Sequence, residues 1–393
     1  MILDVDLFAK TETEILKNLS KHGYEIFFIS CNSVRDPAFK DLGIHLFSIP
    51  VGKNNFPLKY HLIIALIQLF SFPFFVLKVK PNFIIVDWDS LFGLMPMIPF
   101  CRLLGVKVIL DIRSTPTPIE NSNQKACLRS NAISLAFNAS VSIAKKKLDG
   151  ITIITDLMKK EICSKYFINP NNVGVWSSGV SVELFLNEDY VNHGVELRQK
   201  LGLTDKFIVF YHGVFTQSRG LIDAINAMSI TKNRYPNVVL FLLGKGSAQT
   251  IGDMRKAIQD NGLQDRVILY NSVDYAEVPK YIAMCDVGLV PLLDLPQWRN
   301  QCPLKLLEYL AMKKAVILSD IPCHREVVGN DKCGIYLSSI SPDGIAESIA
   351  FVLDNKEKLE EWGAKGRAIV TNKYTWQRIA KNLDDYLRYI ENK

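Results

Sequence analysis

One carboxylate stands inside an apolar helical segment, where it is placed to bind a ligand. Glu308 lies in the run 303–311 (PLKLLEYLA), and the predicted helix begins near Pro303, a residue common in first helical turns. A buried carboxylate is costly unless it is paired or hydrogen-bonded. Such a group suits the two vicinal hydroxyls of a ribose. The alternative is a surface ion pair with Lys305, which fits the helical spacing but explains less of the flanking pattern.

A second candidate site is a loop between a predicted strand and a predicted helix. In the run 207–220 (FIVFYHGVFTQSRG) the strand ends at Gly213, and Arg219 and Gly220 open the next helix. A helix N-terminus presents free N–H groups and partial positive charge, which suits a phosphate group. Arg219 adds a fork of donors for a phosphoryl oxygen. The alternative is a plain strand–turn–helix unit with a surface arginine.

Another glycine turn is predicted on the same edge of this sheet. The run 242–247 (LLGKGS) places Gly244 and Gly246 directly after a predicted strand. The spacing G-x-G after a strand is weak evidence by itself, because any tight strand–helix turn can use it. It adds a backbone-accessible turn beside the loop that holds Arg219.

The elements that must position these residues are strands alternating with helices. The predicted strands of the first half are 2–5, 25–30, 44–49, 83–87, 106–111 and 150–155. Those of the second half are 207–212, 238–244, 267–270, 287–291, 315–319 and 334–337. This alternation predicts βαβ units and parallel sheets. We therefore predict an α/β fold of two doubly wound, Rossmann-like domains, each with its ligand edge at the carboxyl ends of its strands.

The predicted boundary between the domains follows a turn near residues 178–179. A polar stretch comes after this turn, and we place a linker near 186–195. The predicted domains are residues 1–187 and 188–375. Residues 376–393 contain apolar residues at helical spacing, which predicts a closing helix.

Composition and charge exclude several classes of protein. The chain has 393 residues, of which 48% are hydrophobic and 22% charged, so it is too long for one ordinary domain and globular in composition. The formal charge of +6 is well short of that of a dedicated nucleic-acid binder. Residues 1–185 hold 20 basic and 15 acidic residues, so most of the excess lies in the first half. We expect no nucleic-acid partner.

One apolar segment has three possible interpretations. Residues 62–77 (LIIALIQLFSFPFFVL) fall short of the roughly 20 residues that a spanning helix needs, and Pro73 would kink the helix. The segment is a buried helix, a membrane-docking helix or a true span. Residues 42–86 contain no acid but hold Lys53, Lys59, Lys78 and Lys80, so residues 53–80 are a candidate for peripheral contact with a membrane.

The sequence lacks the patterns of several other sites and of secretion. Its eight cysteines include no C-x-x-C pair, and we interpret them as small buried hydrophobes in a reducing compartment. No signal peptide is visible, and we expect a cytoplasmic location, with possible attachment to the inner face of the membrane. Its six histidines form no metal-binding spacing, so no metal site is predicted. No G-x-S-x-G motif supports a serine hydrolase.

Six short segments, in order, carry a resemblance to a known family. The matching segments are 178–185, 211–220, 243–246, 281–291, 303–328 and 374–376. Together they resemble the retaining glycosyltransferases of family 4, within glycosyltransferase group 1, which have the GT-B architecture. The resemblance covers roughly residues 150–390, and its force comes from the order of the segments, since each alone is weak.

The resemblance implies roles for the residues of the second half. Glu308 looks like the second glutamate of the family's E-x7-E motif, which holds the donor ribose. Arg219 looks like the diphosphate anchor, with Lys305 as a plausible second cation. The implied donor-binding set is Gly213, Arg219, Gly220, Gly244, Gly246, Lys305, Leu306 and Glu308. Two positions depart from the family pattern: Asn300 stands where the first glutamate falls, and Val214 stands where an arginine is common.

In the first half, the run 106–116 resembles the family strand that ends near the catalytic centre. Asp111 and Arg113 would then face the ligand edge, and with Asn300 they form the implied catalytic set. Retaining transfer needs charge stabilisation around a leaving diphosphate more than a strong base. The alternative is a structural network between Asp111 and Arg113. Asp87 and Asp89 form a second candidate group, or a strand-end cap.

The resemblance implies a transfer reaction without a metal or other cofactor. A hexosyl group would move from a nucleoside-diphosphate sugar, bound by the C-terminal domain, to a hydroxyl of an acceptor bound by the N-terminal domain. The closing helix would cross back to the N-terminal domain. The acid-free, lysine-flanked apolar region favours a glycan or lipid-linked acceptor at a membrane surface. The rivals are a nucleotide-sugar epimerase on the same fold and a non-catalytic protein that binds nucleotide-sugar.

Overall fold

The computed structural model describes two compact units. The described residues are 2–4, 9–30, 38–48, 66, 69–70, 72–74, 76–88, 90–116, 124–329 and 332–393. The first unit comprises residues 1–178 and 376–393, and the second comprises residues 179–375. The division between the units therefore lies nine residues before the boundary proposed from the sequence.

The first unit contains a parallel sheet of seven strands. Their order across the sheet is β3-β2-β1-β4-β5-β6-β7. The strands are β1 (Ile2–Asp4), β2 (Ile26–Ser30), β3 (Ile44–Ser48), β4 (Phe83–Asp87), β5 (Lys107–Ile112), β6 (Gly150–Ile153) and β7 (Val173–Val175). The six strands predicted for this half are present, and β7 is an addition. Strands β4 and β5 are buried along almost their whole length, as expected of a parallel sheet.

Helices and short turns connect these strands. The helices are α1 (Ala9–Ser20), α2 (Ala38–Asp41), α3 (Leu91–Leu94), α4 (Ile98–Leu103), α5 (Gln124–Lys147), α6 (Asp156–Tyr166) and, at the end of the chain, α17 (Trp376–Glu391). The 3-10 turns of this unit are Met95–Met97 and Pro170–Asn172. Helix α6 begins where the Thr155 hydroxyl accepts a hydrogen bond from the Met158 N–H, the usual role of an N-cap.

Helix α17 is joined to the first unit by its polar side chains. The Tyr386 hydroxyl donates to the Asn172 carbonyl at 2.6 Å and accepts from the Ile151 N–H at 3.1 Å. A Cβ at Gly174 would overlap the Tyr386 ring, so glycine is needed for this approach. The last helix of the chain therefore belongs to the first unit, although the whole of the second unit precedes it in sequence.

The second unit contains a parallel sheet of six strands, in the order β10-β9-β8-β11-β12-β13. The strands are β8 (Phe207–Phe215), β9 (Val238–Gly246), β10 (Val267–Asn271), β11 (Val287–Val290), β12 (Ala315–Leu318) and β13 (Gly334–Tyr336). These match the six predicted strands, but β8 and β9 run on through the glycines at which they were predicted to end. Gly213 pairs with Gly244, and Phe215 pairs with Gly246.

The helices of the second unit cover this sheet. They are α7 (Val182–Phe185), α8 (Tyr190–Lys200), α9 (Leu221–Thr231), α10 (Ala248–Asp260), α11 (Val278–Met284), α12 (Pro296–Arg299), α13 (Leu304–Ala311), α14 (Pro322–Val328), α15 (Pro342–Leu353) and α16 (Leu359–Lys373). The 3-10 turns are Gln217–Arg219, Tyr275–Glu277 and Lys356–Lys358. Apolar side chains of α9 and α15 pack against β8, β9 and β11 to form the core.

The apolar segment of the first unit is helical at each described position between 66 and 79. Phe72 and Val76 are buried, whereas four large apolar side chains are exposed: Leu66, Phe70, Phe74 and Leu77. Within the described part of the chain, we find no helix with the length and hydrophobicity needed to cross a membrane. Residues 53–65, the first part of the predicted membrane-contact region, lie outside the described residues.

Six of the eight cysteines are buried free thiols, in agreement with their interpretation as small core residues. They are Cys101, Cys163, Cys285, Cys302, Cys323 and Cys333. The side chains of Cys31 and Cys127 lie outside the described residues.

Candidate functional site

The glycines at the ends of β8 and β9 allow these two strands to pair closely. A Cβ at Gly244 would overlap the carbonyl oxygen of Gly213, and a Cβ at Gly246 would lie 2.9 Å from both Cβ and O of Phe215. Gly213 has φ of 124°, a conformation that favours glycine. The sheet by itself thus requires small residues here, and a role of these glycines in nucleotide binding stays a prediction.

Arg219 lies at the end of a 3-10 turn and not in the helix that follows. Gly220 separates that turn from α9 and is left-handed, with φ of 64°. A Cβ at Gly220 would overlap the carbonyl oxygen of Pro291, so the loop packs tightly against the segment that follows β11. The Arg219 guanidinium lies over the ring of Trp298, with its central carbon 4.4 Å from the ring centroid. Sequence analysis gave no role to Trp298.

Lys305 brings a second cation to this region. It lies in the first turn of α13, and its side chain is buried. Its Nζ donates to the Tyr211 hydroxyl at 3.0 Å, and that hydroxyl donates to the Val214 carbonyl at 2.9 Å. Burial lowers the pKa of Lys305 well below its usual range, and the positive charge of Arg219 lowers it further. The two cations are therefore close enough to repel each other.

The Tyr211 hydroxyl is a hydrogen-bond partner of the Lys305 ammonium. Burial raises the pKa of Tyr211 to about 12, and the Arg219 guanidinium opposes this rise. The Tyr211 hydroxyl thus remains protonated at neutral pH and acts as a neutral partner of Lys305. A Cβ at Gly213 would lie 3.5 Å from Nζ of Lys305, so the ammonium sits directly beside the glycine backbone.

Glu308 is buried one turn further along α13, with 3% of its surface exposed. Its Oε1 accepts a hydrogen bond of 2.7 Å from the Tyr275 hydroxyl. Its Oε2 lies 3.1 Å from Nε2 of His212, an ion-pair distance, although this Nε2 makes no hydrogen bond of good geometry. The burial of both Glu308 and Lys305 excludes the surface ion pair that the helical spacing allowed.

Two residues that face Glu308, His212 and Tyr275, were not predicted from the sequence. His212 lies in β8 and Tyr275 in a 3-10 turn after β10, so both come from elements distant from α13 in sequence. His212 was recognised only as one of six scattered histidines. Its place directly before Gly213, in the strand that leads to the Arg219 loop, is the signal that could have identified it.

Two further predicted residues of this unit lie near α13. Leu306 is fully buried, and its N–H donates to the Pro303 carbonyl, so it presents no side-chain surface to a ligand. Asn300 directly follows α12 and is half-buried. Val214, which replaces the arginine common in the family, is exposed.

Trp176 contacts both Asp111 and Arg113, the catalytic residues predicted in the first unit. Asp111 is fully buried, and its Oδ1 accepts hydrogen bonds from the Thr152 hydroxyl at 2.6 Å and from Nε1 of Trp176 at 2.9 Å. Arg113 stacks on the Trp176 ring at 3.7 Å and donates to the Trp176 carbonyl at 2.6 Å. Burial raises the pKa of Asp111, and the Arg113 charge and the two hydrogen bonds oppose the rise.

Asp111 and Arg113 differ in their exposure to solvent. Asp111 is enclosed, whereas Arg113 is half-buried and retains accessible surface. In the second candidate group, the Asp87 carboxylate accepts from the Trp88 N–H at 2.6 Å, as a strand-end cap does. Asp89 lies outside the described residues. Across the described ranges, no group of three or more His, Cys, Asp or Glu side chains could hold a metal ion.

Comparison with known proteins identifies the second unit. Residues 195–369 match the family model described as glycosyl transferases group 1, and this match contains Arg219, Lys305 and Glu308. The second unit carries this group 1 region, and the chain is a glycosyltransferase. This glycosyltransferase is 22% identical over 296 residues to alpha-D-kanosaminyltransferase of Streptomyces kanamyceticus, a match that covers 74% of this chain and 72% of the relative.

A second relative matches about half of this glycosyltransferase. It is the GDP-mannose-dependent alpha-(1-6)-phosphatidylinositol monomannoside mannosyltransferase of Mycobacterium tuberculosis, 26% identical over 195 residues. The match covers 49% of this chain and 50% of that enzyme.

Solved structures show the same fold over nearly the whole chain. Anabaena HepE, in complex with UDP and glucose, gives a TM-score of 0.71 at 14% identity and covers 98% of this chain and 99% of its own. Sucrose-phosphate synthase from Thermosynechococcus elongatus gives a TM-score of 0.76 at 14% identity and covers 99% and 98%. The predicted α/β fold of two Rossmann-like domains, the GT-B architecture, is confirmed.

Proposed function

We propose that this glycosyltransferase moves a hexosyl group from a nucleoside-diphosphate sugar to a hydroxyl of an acceptor, with retention of configuration. The observation that supports the proposal is the group formed by Arg219, Lys305 and Glu308. Lys305 and Glu308 are buried on α13, and the group lies at the carboxyl end of β8. Ligands of open α/β sheets bind at this end of the strands. The second unit binds the donor, and the first unit supplies the acceptor side.

The donor's ribose and its diphosphate bind to different residues of this group. Glu308 accepts hydrogen bonds from the ribose hydroxyls, since its carboxylate keeps acceptor capacity beyond the bond from Tyr275. Arg219 and Lys305 hold the diphosphate. Burial lowers the pKa of Lys305 and the Arg219 charge lowers it further. A bound diphosphate favours the charged ammonium, so donor binding is coupled to protonation of Lys305.

The transferred sugar develops positive charge while the diphosphate leaves with negative charge. The two cations stabilise the leaving group, and they do so strongly because the buried site has a low dielectric constant. Asn300 holds a hydroxyl of the donor sugar through its amide, in place of the family's glutamate. Arg113, in the first unit, binds an acidic group of the acceptor, and the enclosed Asp111 holds Arg113 in place through Trp176.

The relatives suggest two candidate nucleotides and a class of acceptor. HepE was crystallised with UDP and glucose, and the mycobacterial relative is named as GDP-mannose-dependent. Other relatives are named for teichuronic acid, capsular polysaccharide and lipopolysaccharide synthesis. We therefore propose a cell-envelope or lipid-linked glycan as the acceptor and either UDP-sugar or GDP-sugar as the donor.

Proton NMR of the product tests the reaction and its stereochemistry together. UDP-glucose and GDP-mannose are incubated with dodecyl glycosides as acceptors, and the anomeric proton of the product is observed. Retention predicts an α-linked product from these α-linked donors. A β-linked product would contradict retention, and conversion of the donor to another sugar without acceptor would show an epimerase. Tight binding of UDP or GDP with no turnover on any acceptor would favour a non-catalytic protein.

We also propose that the first unit touches an anionic membrane surface. The exposed side chains Leu66, Phe70, Phe74 and Leu77 follow each other at intervals of four, four and three residues, which places them on one face of a helix. Lys78 lies 5.3 Å from the Phe74 ring, so a positive charge borders the apolar face. An apolar face bordered by lysine suits the headgroup region of an anionic bilayer, and we propose attachment at the cytoplasmic face of a membrane.

Flotation with liposomes tests this contact. The chain should float with vesicles that contain 30% phosphatidylglycerol, and the double variant Phe70→Ser/Phe74→Ser should remain at the bottom of the gradient. Phe351→Ser is the matched control, because Phe351 is an exposed phenylalanine of the second unit. Equal flotation of the double variant and the control would contradict the proposed contact.

A further inference from the structure

We propose that Trp298 is a positioning residue, which holds the Arg219 guanidinium ready for the diphosphate of the donor. This inference rests on the proposed function, because it concerns the residue that prepares the diphosphate anchor. Nothing in the sequence patterns assigned a role to Trp298, which lies in the short helix α12 two residues before Asn300.

The contact between Trp298 and Arg219 is a stack of the guanidinium on the indole ring. The central guanidinium carbon lies 4.4 Å from the ring centroid, well within the distance of a cation–π interaction. Nε of Arg219 and Nε1 of Trp298 are both buried, and neither makes a hydrogen bond within the described part of the protein. The Arg219 side chain also hydrogen-bonds the Tyr211 hydroxyl, so the stacked indole ring is a second restraint on the guanidinium.

The segment that carries Trp298 is fixed against the Arg219 loop. The N–H of Leu293 donates to the Ser218 carbonyl at 3.2 Å, directly before Arg219 in the chain. The N–H of Trp298 itself donates to the Leu295 carbonyl at 2.9 Å. The segment that leads into α12 is thus hydrogen-bonded to the backbone that precedes the arginine, and the ring that it carries can hold Arg219 in one orientation.

The charge of Lys305 explains why Arg219 needs such a restraint. Burial is the main cause of the lowered pKa of Lys305, and the positive charge of Arg219 lowers it further, so the two groups lie close enough to repel each other when both are charged. The negative face of an indole ring attracts a guanidinium and offsets this repulsion. The ring also restricts Arg219 before the donor binds, so less conformational freedom is lost on binding. Without the ring, this loss would weaken the affinity by about twofold to tenfold.

A double-mutant cycle on nucleotide binding tests the inference. Dissociation constants of UDP and GDP are measured by calorimetry for wild type, Trp298→Leu, Arg219→Ala and the double variant. Trp298→Leu should weaken binding about twofold to tenfold, and it should add nothing in the Arg219→Ala background, because its effect passes through the arginine. Trp298→Phe keeps an aromatic face and should restore most of the affinity.

The matched control is binding of uridine and guanosine, which carry no phosphate. Their affinity should be equal in wild type and Trp298→Leu. Independent, additive losses in the cycle, or an equal loss for the nucleosides, would overturn the inference while leaving the proposed donor site intact. Tighter UDP binding by Trp298→Leu would show that the ring covers the arginine instead of preparing it. If wild type bound neither UDP nor GDP, the inference and the proposed function would both fail. If Trp298→Leu does not fold, Trp298→Met replaces it in the cycle.

Discussion

Removal of a single buried hydroxyl, by Tyr309→Phe, should destabilise the second unit. Tyr309 is fully buried in α13, and its hydroxyl donates to the Phe210 carbonyl at 3.2 Å and accepts from the His212 N–H at 3.1 Å. Strand β11 pairs with β8 only as far as Phe210, through Gly288. The hydroxyl therefore supplies the partner that β11 no longer provides to β8.

The size of the effect follows from the groups that lose their partner. Tyr309→Phe leaves the buried His212 N–H without its acceptor, at a cost of about 1–3 kcal/mol. The Phe210 carbonyl loses a second, longer hydrogen bond, so we expect a total near 2 kcal/mol. The ring itself stays in place, and no cavity forms. For a unit of about 200 residues this corresponds to a fall of about 4–8 °C in the melting temperature.

Thermal unfolding followed by circular dichroism measures the change. Tyr389→Phe is the matched control, because Tyr389 is an exposed residue of α17 in the first unit, and its melting temperature should equal that of wild type. A fall of less than 1 °C for Tyr309→Phe would refute the reasoning that the hydroxyl completes the edge of β8.

Three further changes have defined outcomes. Gly220→Ala puts an alanine in a left-handed conformation, and its Cβ would overlap the Pro291 carbonyl oxygen. The free energy of unfolding should therefore fall by at least about 1–2 kcal/mol, and UDP or GDP should bind more weakly. An unchanged free energy of unfolding in urea would contradict this. Trp176→Phe leaves an aromatic ring to stack on Arg113 but removes the indole N–H that donates a hydrogen bond to Asp111. The free energy of unfolding, measured in urea, should fall by about 1–3 kcal/mol. Burial lowers the pKa of Lys305, so the unfolded chain binds the proton more tightly and the free energy of unfolding should rise with pH towards the usual pKa of 10.5. Lys305→Met should flatten this rise below pH 10.5, and an unchanged slope would show that Lys305 is not its source.

Most of the fold could be predicted because parallel strands leave a strong local pattern. All six predicted strands of each half are present, since runs such as 83–86 are uninterrupted and apolar. Strand β7 was missed because Val173–Val175 has only three residues, too few for a pattern. The ends of β8 and β9 were placed too early, because glycine usually interrupts a strand but here lets Gly213 and Gly244 approach each other.

The candidate site was only partly visible in the sequence. The burial of Glu308 follows from its apolar neighbours on α13, which a local pattern records. The contacts with Tyr275 and His212 do not follow, because they come from elements 33 and 96 residues away. The stack of Arg219 on Trp298 joins residues 79 positions apart, and only the folded chain brings them together.

Thermal stabilisation by nucleotides tests the central claim, that the second unit binds a nucleoside diphosphate through Glu308. Wild type, Glu308→Gln and the exposed control Glu361→Gln are unfolded with UDP and with GDP. Glu308→Gln keeps an acceptor for the Tyr275 hydroxyl, so its melting temperature without nucleotide should stay close to that of wild type. Ligand at 100 times its dissociation constant stabilises the native state by about 2.7 kcal/mol. We predict that one nucleotide raises the melting temperature of wild type and of Glu361→Gln by about 5–10 °C, and that Glu308→Gln loses most of this shift. No shift with either nucleotide in wild type, or an equal shift in all three proteins, would contradict the account.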